Sequence, residues 1–228
     1  MTNICYVCIT DTHFGEEDSL LTNLKTASTD TDPSKPSPVM ELLVECLKSL
    51  ISKNENGKKP TLILGGDILE LALSTTNEAA MVFERFIELI LPPDGALFER
   101  IVYLPGNHDH HLWEIARETQ YVNYFQDKKP GSFLSIPWHA TKMFLDKDAD
   151  QVPSYFLTRL VNRYDHLKKF TITTAYPNFG LFREDTQKCV VFTHGHFIEP
   201  LYQLLSTCLL YTSPSPRALS TSRMPSSA

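Results

Sequence analysis

Residues 61–67 read Thr-Leu-Ile-Leu-Gly-Gly-Asp, an apolar run that stops abruptly at two glycines and a carboxylate. A short continuous apolar run bounded by glycine is typical of a strand that is covered on both faces of a sheet. Three other segments have the same form, at residues 4–10, 100–104 and 189–193. The sequence therefore predicts four short buried strands, each followed directly by polar residues.

Two helical patterns separate the first three of these strands. Ser37-Pro38 marks the start of a helix that runs to about residue 53, and Asn77 caps a second helix that ends before Pro92-Pro93. Strands that alternate with helices predict an α/β layered fold. The side chains predicted to face the core are Val39, Leu42, Leu43, Leu47, Leu50 and Ile51 in the first helix and Met81, Val82, Phe86, Leu89 and Ile90 in the second.

The segment 112–188 does not continue this alternation of strands and helices, and it is rich in aromatic residues. Within residues 154–170, four apolar side chains recur at helical spacing, which predicts an amphipathic helix. We interpret 112–188 as a cap inserted between the third and fourth predicted strands, with a small core of its own. The side chains assigned to that core are Phe156, Leu160, Tyr164 and Leu167.

The last 21 residues, 208–228, differ in composition from the rest of the chain. They contain six Ser and three Pro but no acidic residue, which is typical of a disordered tail. Residues 208–217 and 222–228 also resemble the translated ends of a sequencing-library adapter. We therefore expect a domain at 1–207 that is truncated, followed by a tail that is not native and plays no part in the fold.

Composition and charge exclude several classes of protein. The 228 residues are 42% hydrophobic and 21% charged, which is too apolar for a disordered chain. The formal net charge of −6 disfavours nucleic acid as a partner, because binding phosphates requires a basic surface. Cys5 and Cys8 fall in the first predicted strand and are interpreted as buried strand residues rather than a redox or metal pair. With no signal peptide and no membrane-spanning run, a cytoplasmic protein is expected.

Each predicted strand is followed directly by a loop whose Asp, Asn or His side chains can bind metal ions or transfer protons. In α/β sheets, ligands bind beyond the carboxyl ends of the strands, so these four loops are expected to meet at one edge. Oxygen and imidazole donors without thiolates suit Mn²⁺, Fe²⁺ or Zn²⁺. A shared carboxylate can bridge two such ions. The four loops contain Asp11-x-His13, Gly66-Asp67-x-x-Glu70, Gly106-Asn107-His108-Asp109 and Thr193-His194-Gly195-His196.

The first three of these motifs resemble the signature of the calcineurin-like metallophosphoesterases. The resemblance spans about residues 4–207 and implies an α/β/β/α sandwich with a centre of two divalent metal ions, Mn, Fe or Zn. It implies that Asp11 and His13 hold the first metal. By the same resemblance, Asp67 bridges both ions and Asn107 holds the second.

The resemblance also implies the catalytic roles. A metal-bound hydroxide would be the nucleophile, and His108 would protonate the leaving oxygen or stabilise the transition state. Asp109 would orient His108. The implied activity is phosphoester hydrolysis on a small phosphorylated substrate. A nuclease or phosphodiesterase of the same family, and a binding scaffold that has lost catalysis, are the alternatives.

The fourth motif has two interpretations. If it is the family's penultimate histidine motif, His194 is a metal ligand and a terminal G-H-x-H pair is expected beyond Thr207. If it is the terminal pair itself, both His194 and His196 are ligands. Under the first interpretation, we expect this 228-residue chain to bind its metals incompletely and to turn over slowly.

Overall fold

The structure is a computed structural model that describes residues 3–145 and 151–198. Its main sheet has the strand order β1-β2-β3-β5-β4, in which β1, β2, β3 and β5 are parallel and β4 is antiparallel to β5. A hairpin of β6 and β7 forms a second, antiparallel sheet. The strands are β1 (Tyr6–Ile9), β2 (Thr61–Leu64), β3 (Arg100–Tyr103), β4 (Val152–Pro153), β5 (Ile172–Thr174), β6 (Asn178–Arg183) and β7 (Lys188–Thr193).

Four α-helices in the described ranges accompany these sheets, and the α/β fold class predicted from the sequence is confirmed. Among the described residues, no helix has the length and apolar character needed to cross a bilayer. The chain divides into a compact unit at 1–194 and a second unit at 195–228, whose described part is a short 3₁₀ turn, His196–Ile198. The helices are α1 (Pro38–Ile51), α2 (Thr76–Ile90), α3 (His111–Gln126) and α4 (Tyr155–Val161).

Side chains on the central strands alternate between two cores, because successive residues of a strand point to opposite faces. Leu62 and Leu64 of β2 belong to the larger core, which also contains the buried faces of α1, α2 and α4. Ile63 between them belongs to a smaller core with Phe179 of the hairpin. The first unit is therefore layered, with helices on one face of the main sheet and the hairpin on the other.

The first and last predicted strands are less buried than the sequence suggested. In β1, Tyr6 is 48% exposed and Cys8 is also exposed, so the interpretation of Cys5 and Cys8 as buried residues is wrong. The reason is that β1 is the edge strand of the main sheet. In β7 the first four residues are exposed, because within the described part of the chain this strand pairs with β6 alone and packs mainly through Phe192.

The structure also differs from the predicted cap at 112–188. Two strands of that segment, β4 and β5, belong to the main sheet, and β5 rather than β7 is its fourth parallel strand. The strand β5 consists of three residues, Ile-Thr-Thr, and two of them are polar. It therefore lacks the apolar run from which the other parallel strands were predicted. The side chains assigned to a separate cap core pack against the larger core of the main domain: Phe156, Leu160, Tyr164 and Leu167.

Both predicted helices form, but their buried faces are narrower than predicted. The buried residues of α1 are Met40, Val44, Leu47 and Ile51, which lie on one stripe at helical spacing. Leu43 is partly buried against the core, but three other side chains predicted to face the core are exposed, namely Val39 (42%), Leu42 (60%) and Leu50 (47%). In α2 the cap is Thr75, whose side chain pairs with Glu78, and Met81 is 39% exposed.

The cap of α1 gives a direct stability prediction. The Ser37 hydroxyl accepts a hydrogen bond from Met40 N (3.1 Å) and donates one to Leu20 O (2.8 Å). We expect Ser37→Ala to lower the free energy of unfolding by about 1 kcal/mol, the usual cost of losing an N-cap. Urea denaturation measures this, with Ser52→Ala at the exposed C-terminal end of α1 as the matched control. Equal midpoints for the two variants would contradict the prediction.

A buried carboxylate between α2 and α4 predicts a pH-dependent stability. Glu84 is 6% exposed and lies 2.6 Å from Arg163 Nη1. Burial raises the pKa of Glu84 above its usual 4.5, although Arg163 and Arg85 oppose the shift. A raised pKa in the native state means that the contribution of Glu84 is fully present below pH 4.5 and is lost as the pH rises through the native pKa.

Glu84→Gln should therefore be more stable than the parent at pH 7, and this advantage should disappear near pH 4. The glutamine oxygen can still accept from Arg163, so the contact between α2 and the turn after α4 is kept. Urea unfolding at both pH values tests this, with the exposed Glu45→Gln on α1 as the control. The same difference in unfolding free energy at both pH values would show that Glu84 ionisation is not responsible.

Candidate metal centre

The loops that follow β1 and β2 stay hydrogen-bonded beyond the ends of the strands. Asp11 N donates to Gly66 O and His13 N donates to Asp67 O, both at 3.0 Å. A parallel bridge between Phe14 and Leu69 closes the pair of loops. The parallel register of β1 and β2 is thus continued by the motif residues, and Asp11 and His13 are placed beside Asp67.

Three motif residues in these loops have left-handed backbone conformations. The φ angles are +54° for Asp11, +44° for His13 and +49° for Asp67. Asp and His reach this region more easily than most residues, but it still stores strain of about 1–3 kcal/mol per residue. Such strain persists only where neighbouring structure imposes it, and here the paired loops do so. Strained backbone of this kind clusters at functional sites.

Two glycines allow the loops to approach each other closely. A Cβ atom at Gly106 would overlap the Asp67 carboxylate, and one at Gly66 would overlap the His194 ring. Gly66 also has a φ of +103°, which disfavours other residues. Both positions therefore require glycine for the carboxylate and the imidazole to come together.

One group of metal-ligand atoms forms around His194. Its Nε2 lies 3.2 Å from Asp67 Oδ2 and 3.2 Å from Asn107 Oδ1. When Asp67 is ionised, neither oxygen carries a proton. Together with a deprotonated His194 Nε2, the two oxygens can each offer a lone pair to the same cation. Separations near 3 Å are those expected of neighbouring ligands about 2.1 Å from the same ion. The geometry and the donor types therefore fit a divalent metal.

A second group adjoins the first through the same carboxylate. Ligand atoms of Asp11, His13 and Asp67 all lie within 4.8 Å of one another. His13 Nε2 is 3.9 Å from Asp67 Oδ2, the oxygen that also faces His194. Oxygen and imidazole donors, again without thiolates, fit Mn²⁺, Fe²⁺ or Zn²⁺. Asp67 is thus common to both groups.

Glu70 occupies a central position that the sequence analysis left without a role. It is 0% exposed, and its Oε2 lies 2.8 Å from His13 Nδ1 and 2.6 Å from His108 Nδ1. Its other oxygen accepts hydrogen bonds from the backbone N–H groups of Ala72 and Leu73. The sequence signal that could have indicated this position is its place in Gly66-Asp67-x-x-Glu70, three residues after Asp67.

Asp109 is not in the position expected for a residue that orients His108. Its carboxylate is fully buried and accepts hydrogen bonds from three backbone N–H groups, those of Gly106, Ile68 and Leu69. Burial raises its pKa to about 6, although these N–H groups oppose the shift. The carboxylate next to the His108 ring is instead that of Glu70.

Contacts between carboxylates and imidazoles shift the pKa values of Asp67, Glu70, His108 and His194. Burial acts against the charged forms, but histidine contacts outweigh it and lower the pKa of both Asp67 and Glu70. Burial also opposes the charged form of His108, yet Glu70 and Asp67 raise the pKa of this ring. Asp67 likewise raises the pKa of His194. The carboxylates and imidazoles of the cluster therefore stabilise one another's charged forms.

The structure brings six of the eight predicted site residues to one place. Asp109 acts through the backbone, and His196 belongs to the second unit, where it begins the 3₁₀ turn. His111, which follows the third motif, is the exposed first residue of α3. The six residues that meet are Asp11, His13, Asp67, Asn107, His108 and His194.

An acidic cleft of about 790 Å³ lies next to this cluster. It begins at Glu16, whose Oε2 is 3.7 Å from His13 Nδ1. Lys25 is the basic residue among its lining side chains. A polyanion entering this cleft would meet like charge. The acidic residues of the lining are Glu16, Glu17, Asp18, Asp30 and Glu78.

The family model for calcineurin-like phosphoesterases matches residues 6–214, most of the chain. The chain belongs to this family. The match includes every strand of both sheets and all four motif loops. Metal-dependent hydrolysis of phosphoesters is the activity associated with the family, and the described donor groups provide ligands for divalent metals. No curated protein and no solved structure matches the chain.

Proposed function

We propose that this protein hydrolyses a phosphoester bond of a small substrate with two divalent metal ions held side by side at the edge of the main sheet. The observation that carries the proposal is the shared Asp67 carboxylate, which belongs to both groups of ligand atoms. Asp11, His13 and Asp67 would hold one ion. Asp67, Asn107 and His194 would hold the other.

Bound divalent ions lower the pKa of a coordinated water and neutralise charge on the phosphate oxygens. The chain's contribution is to keep the ligand atoms in place before the substrate arrives. Asp67 Oδ1 accepts a hydrogen bond from His108 N at 2.9 Å, so its carboxylate cannot rotate freely. The paired loops hold Asp11 and His13 in left-handed conformations that residues other than glycine adopt infrequently.

His108 is the residue best placed to manage the proton of the leaving group. Its Nδ1 faces the buried Glu70, so Nε2 is the nitrogen that remains to donate a proton to a leaving oxygen. The raised pKa of His108 keeps the ring protonated closer to neutral pH. Glu70 therefore supports His108 in the role that the sequence resemblance assigned to Asp109.

The acidic cleft supports a small substrate over a nucleic acid. Five carboxylates would repel a chain of phosphates, whereas a single phosphoester group needs to reach only the metal centre. The net charge of −6 acts in the same direction. A nuclease or phosphodiesterase of the same family would use the same centre, so the ester class has to be measured.

The proposal is tested with the metal-stripped chain and two aryl phosphates, p-nitrophenyl phosphate and bis(p-nitrophenyl) phosphate. Hydrolysis of at least one is expected to depend on added Mn²⁺. The readout is the dependence on Mn²⁺ rather than the absolute rate. No Mn²⁺-dependent hydrolysis of either ester above a heat-denatured sample would favour a binding scaffold instead.

A further inference from the structure

The second and third motif loops exchange carboxylate–amide hydrogen bonds in both directions. From the second loop, Asp67 Oδ1 accepts from His108 N at 2.9 Å. From the third loop, Asp109 Oδ2 accepts from Ile68 N at 2.8 Å and Leu69 N at 3.3 Å. Asp109 Oδ1 also accepts from Gly106 N at 2.7 Å, within its own loop. We call this arrangement the carboxylate clasp.

The clasp determines which oxygen of Asp67 faces the ligand atoms. With Oδ1 engaged by His108 N, Oδ2 is the oxygen that lies 3.2 Å from His194 Nε2. This depends on the distance between the two loops, which Asp109 sets by holding the backbone immediately after Asp67. Asp109 is completely buried and joins segments 40 residues apart, so water does not compete for its bonds.

We propose that Asp109 is a positioning residue for Asp67, acting through the Ile68 and Leu69 backbone amides rather than on the His108 ring. The inference rests on the proposed function, because it assigns Asp109 a purpose within the same metal centre. Asp109 would touch neither the substrate nor a metal ion. It would preset the Asp67 carboxylate that the two ions would share.

A carboxylate is the side chain that this position requires. Three backbone N–H groups donate hydrogen bonds to its two oxygens, so both oxygens must be acceptors without a proton of their own. Asparagine would put an NH₂ group against either Gly106 N–H or the Ile68 and Leu69 pair. One side of the clasp would open, and the Asp67 loop would lose its fixed distance from the Asn107 loop.

The test compares Mn²⁺ binding by the parent chain, Asp109→Asn and Glu84→Gln, using isothermal titration calorimetry. Glu84 is a matched control, because it is also a buried carboxylate but pairs with Arg163 away from the site. We expect Asp109→Asn to bind Mn²⁺ about 10–100-fold more weakly, the usual effect of losing a partner behind a metal ligand. Glu84→Gln should bind like the parent. Thermal unfolding without metal, measured in parallel, reports any general loss of fold.

Parent-like Mn²⁺ affinity in Asp109→Asn would overturn the inference. A second measurement needs no variant: hydrogen exchange of the metal-free parent should show protected amides at Ile68, Leu69 and Gly106. Rapid exchange at these amides would also overturn it, even if Asp109→Asn fails to fold. If the parent binds no Mn²⁺, the proposed function fails, and hydrogen exchange alone decides whether the clasp exists.

Discussion

Asp67→Asn is expected to weaken Mn²⁺ binding by at least about 100-fold and to reduce Mn²⁺-dependent hydrolysis to background. Losing a residue behind a metal ligand costs about 10–100-fold, and Asp67 is itself the proposed ligand, common to both groups. Asparagine keeps the size of the side chain but removes the negative charge. The amide also cannot present lone pairs from both of its terminal atoms. Calorimetry and hydrolysis of an aryl phosphate measure the two effects.

The matched control for this variant is Asp94→Asn, which changes an exposed aspartate in the loop after α2. It removes the same charge and should leave both quantities unchanged. If Asp67→Asn retained parent-like affinity and turnover, Asp67 could not be the shared ligand. The arrangement of the proposed centre would then be wrong.

For a phosphoester with an alkyl leaving group, His108→Ala is expected to lower kcat by about 10²–10⁴, the usual contribution of a general acid. Mn²⁺ affinity should change much less, because the ring contacts Glu70 and is not among the ligands assigned to either ion. The backbone N–H of residue 108 is still present in the alanine variant, so its hydrogen bond to Asp67 is retained. The variant therefore separates proton transfer from metal binding.

His111→Ala is the control here, since it removes a nearby exposed histidine at the start of α3. It should hydrolyse the aryl phosphate like the parent. A leaving group that needs no protonation, such as p-nitrophenolate, should also reduce the effect of His108→Ala relative to an alkyl leaving group. Equal losses with both leaving groups would contradict the assignment of His108 as the acid.

The sequence could predict which motif residues meet, because its signals are local. Each motif follows an apolar run directly, so parallel pairing of β1, β2 and β3 brings Asp11, Asp67 and Asn107 to one edge. The α/β class follows from the same alternation. The roles of Glu70 and Asp109 were not predictable in this way. The Glu70 carboxylate contacts the His108 ring, whereas the Asp109 carboxylate contacts backbone N–H groups. Residue spacing alone does not predict which carboxylate has which partner.

The errors in the fold have a similar physical origin. β5 is short and contains two threonines, so its burial depends on β3 and β4 beside it rather than on its own hydrophobicity. Cys8 and Tyr6 looked buried because an apolar run does not reveal whether its strand is central or at an edge. Leu42 on α1 is apolar but lies outside the stripe that packs on the sheet.

The most direct test of the metal centre is an anomalous difference map at the manganese absorption edge, from crystals of this chain grown with Mn²⁺. We predict a peak within about 2.0–2.2 Å of an Asp67 carboxylate oxygen, with His13 or His194 among its other neighbours. A second peak sharing Asp67 would establish that two ions bind. Full Mn²⁺ occupancy elsewhere, with no peak beside Asp67, would contradict the account.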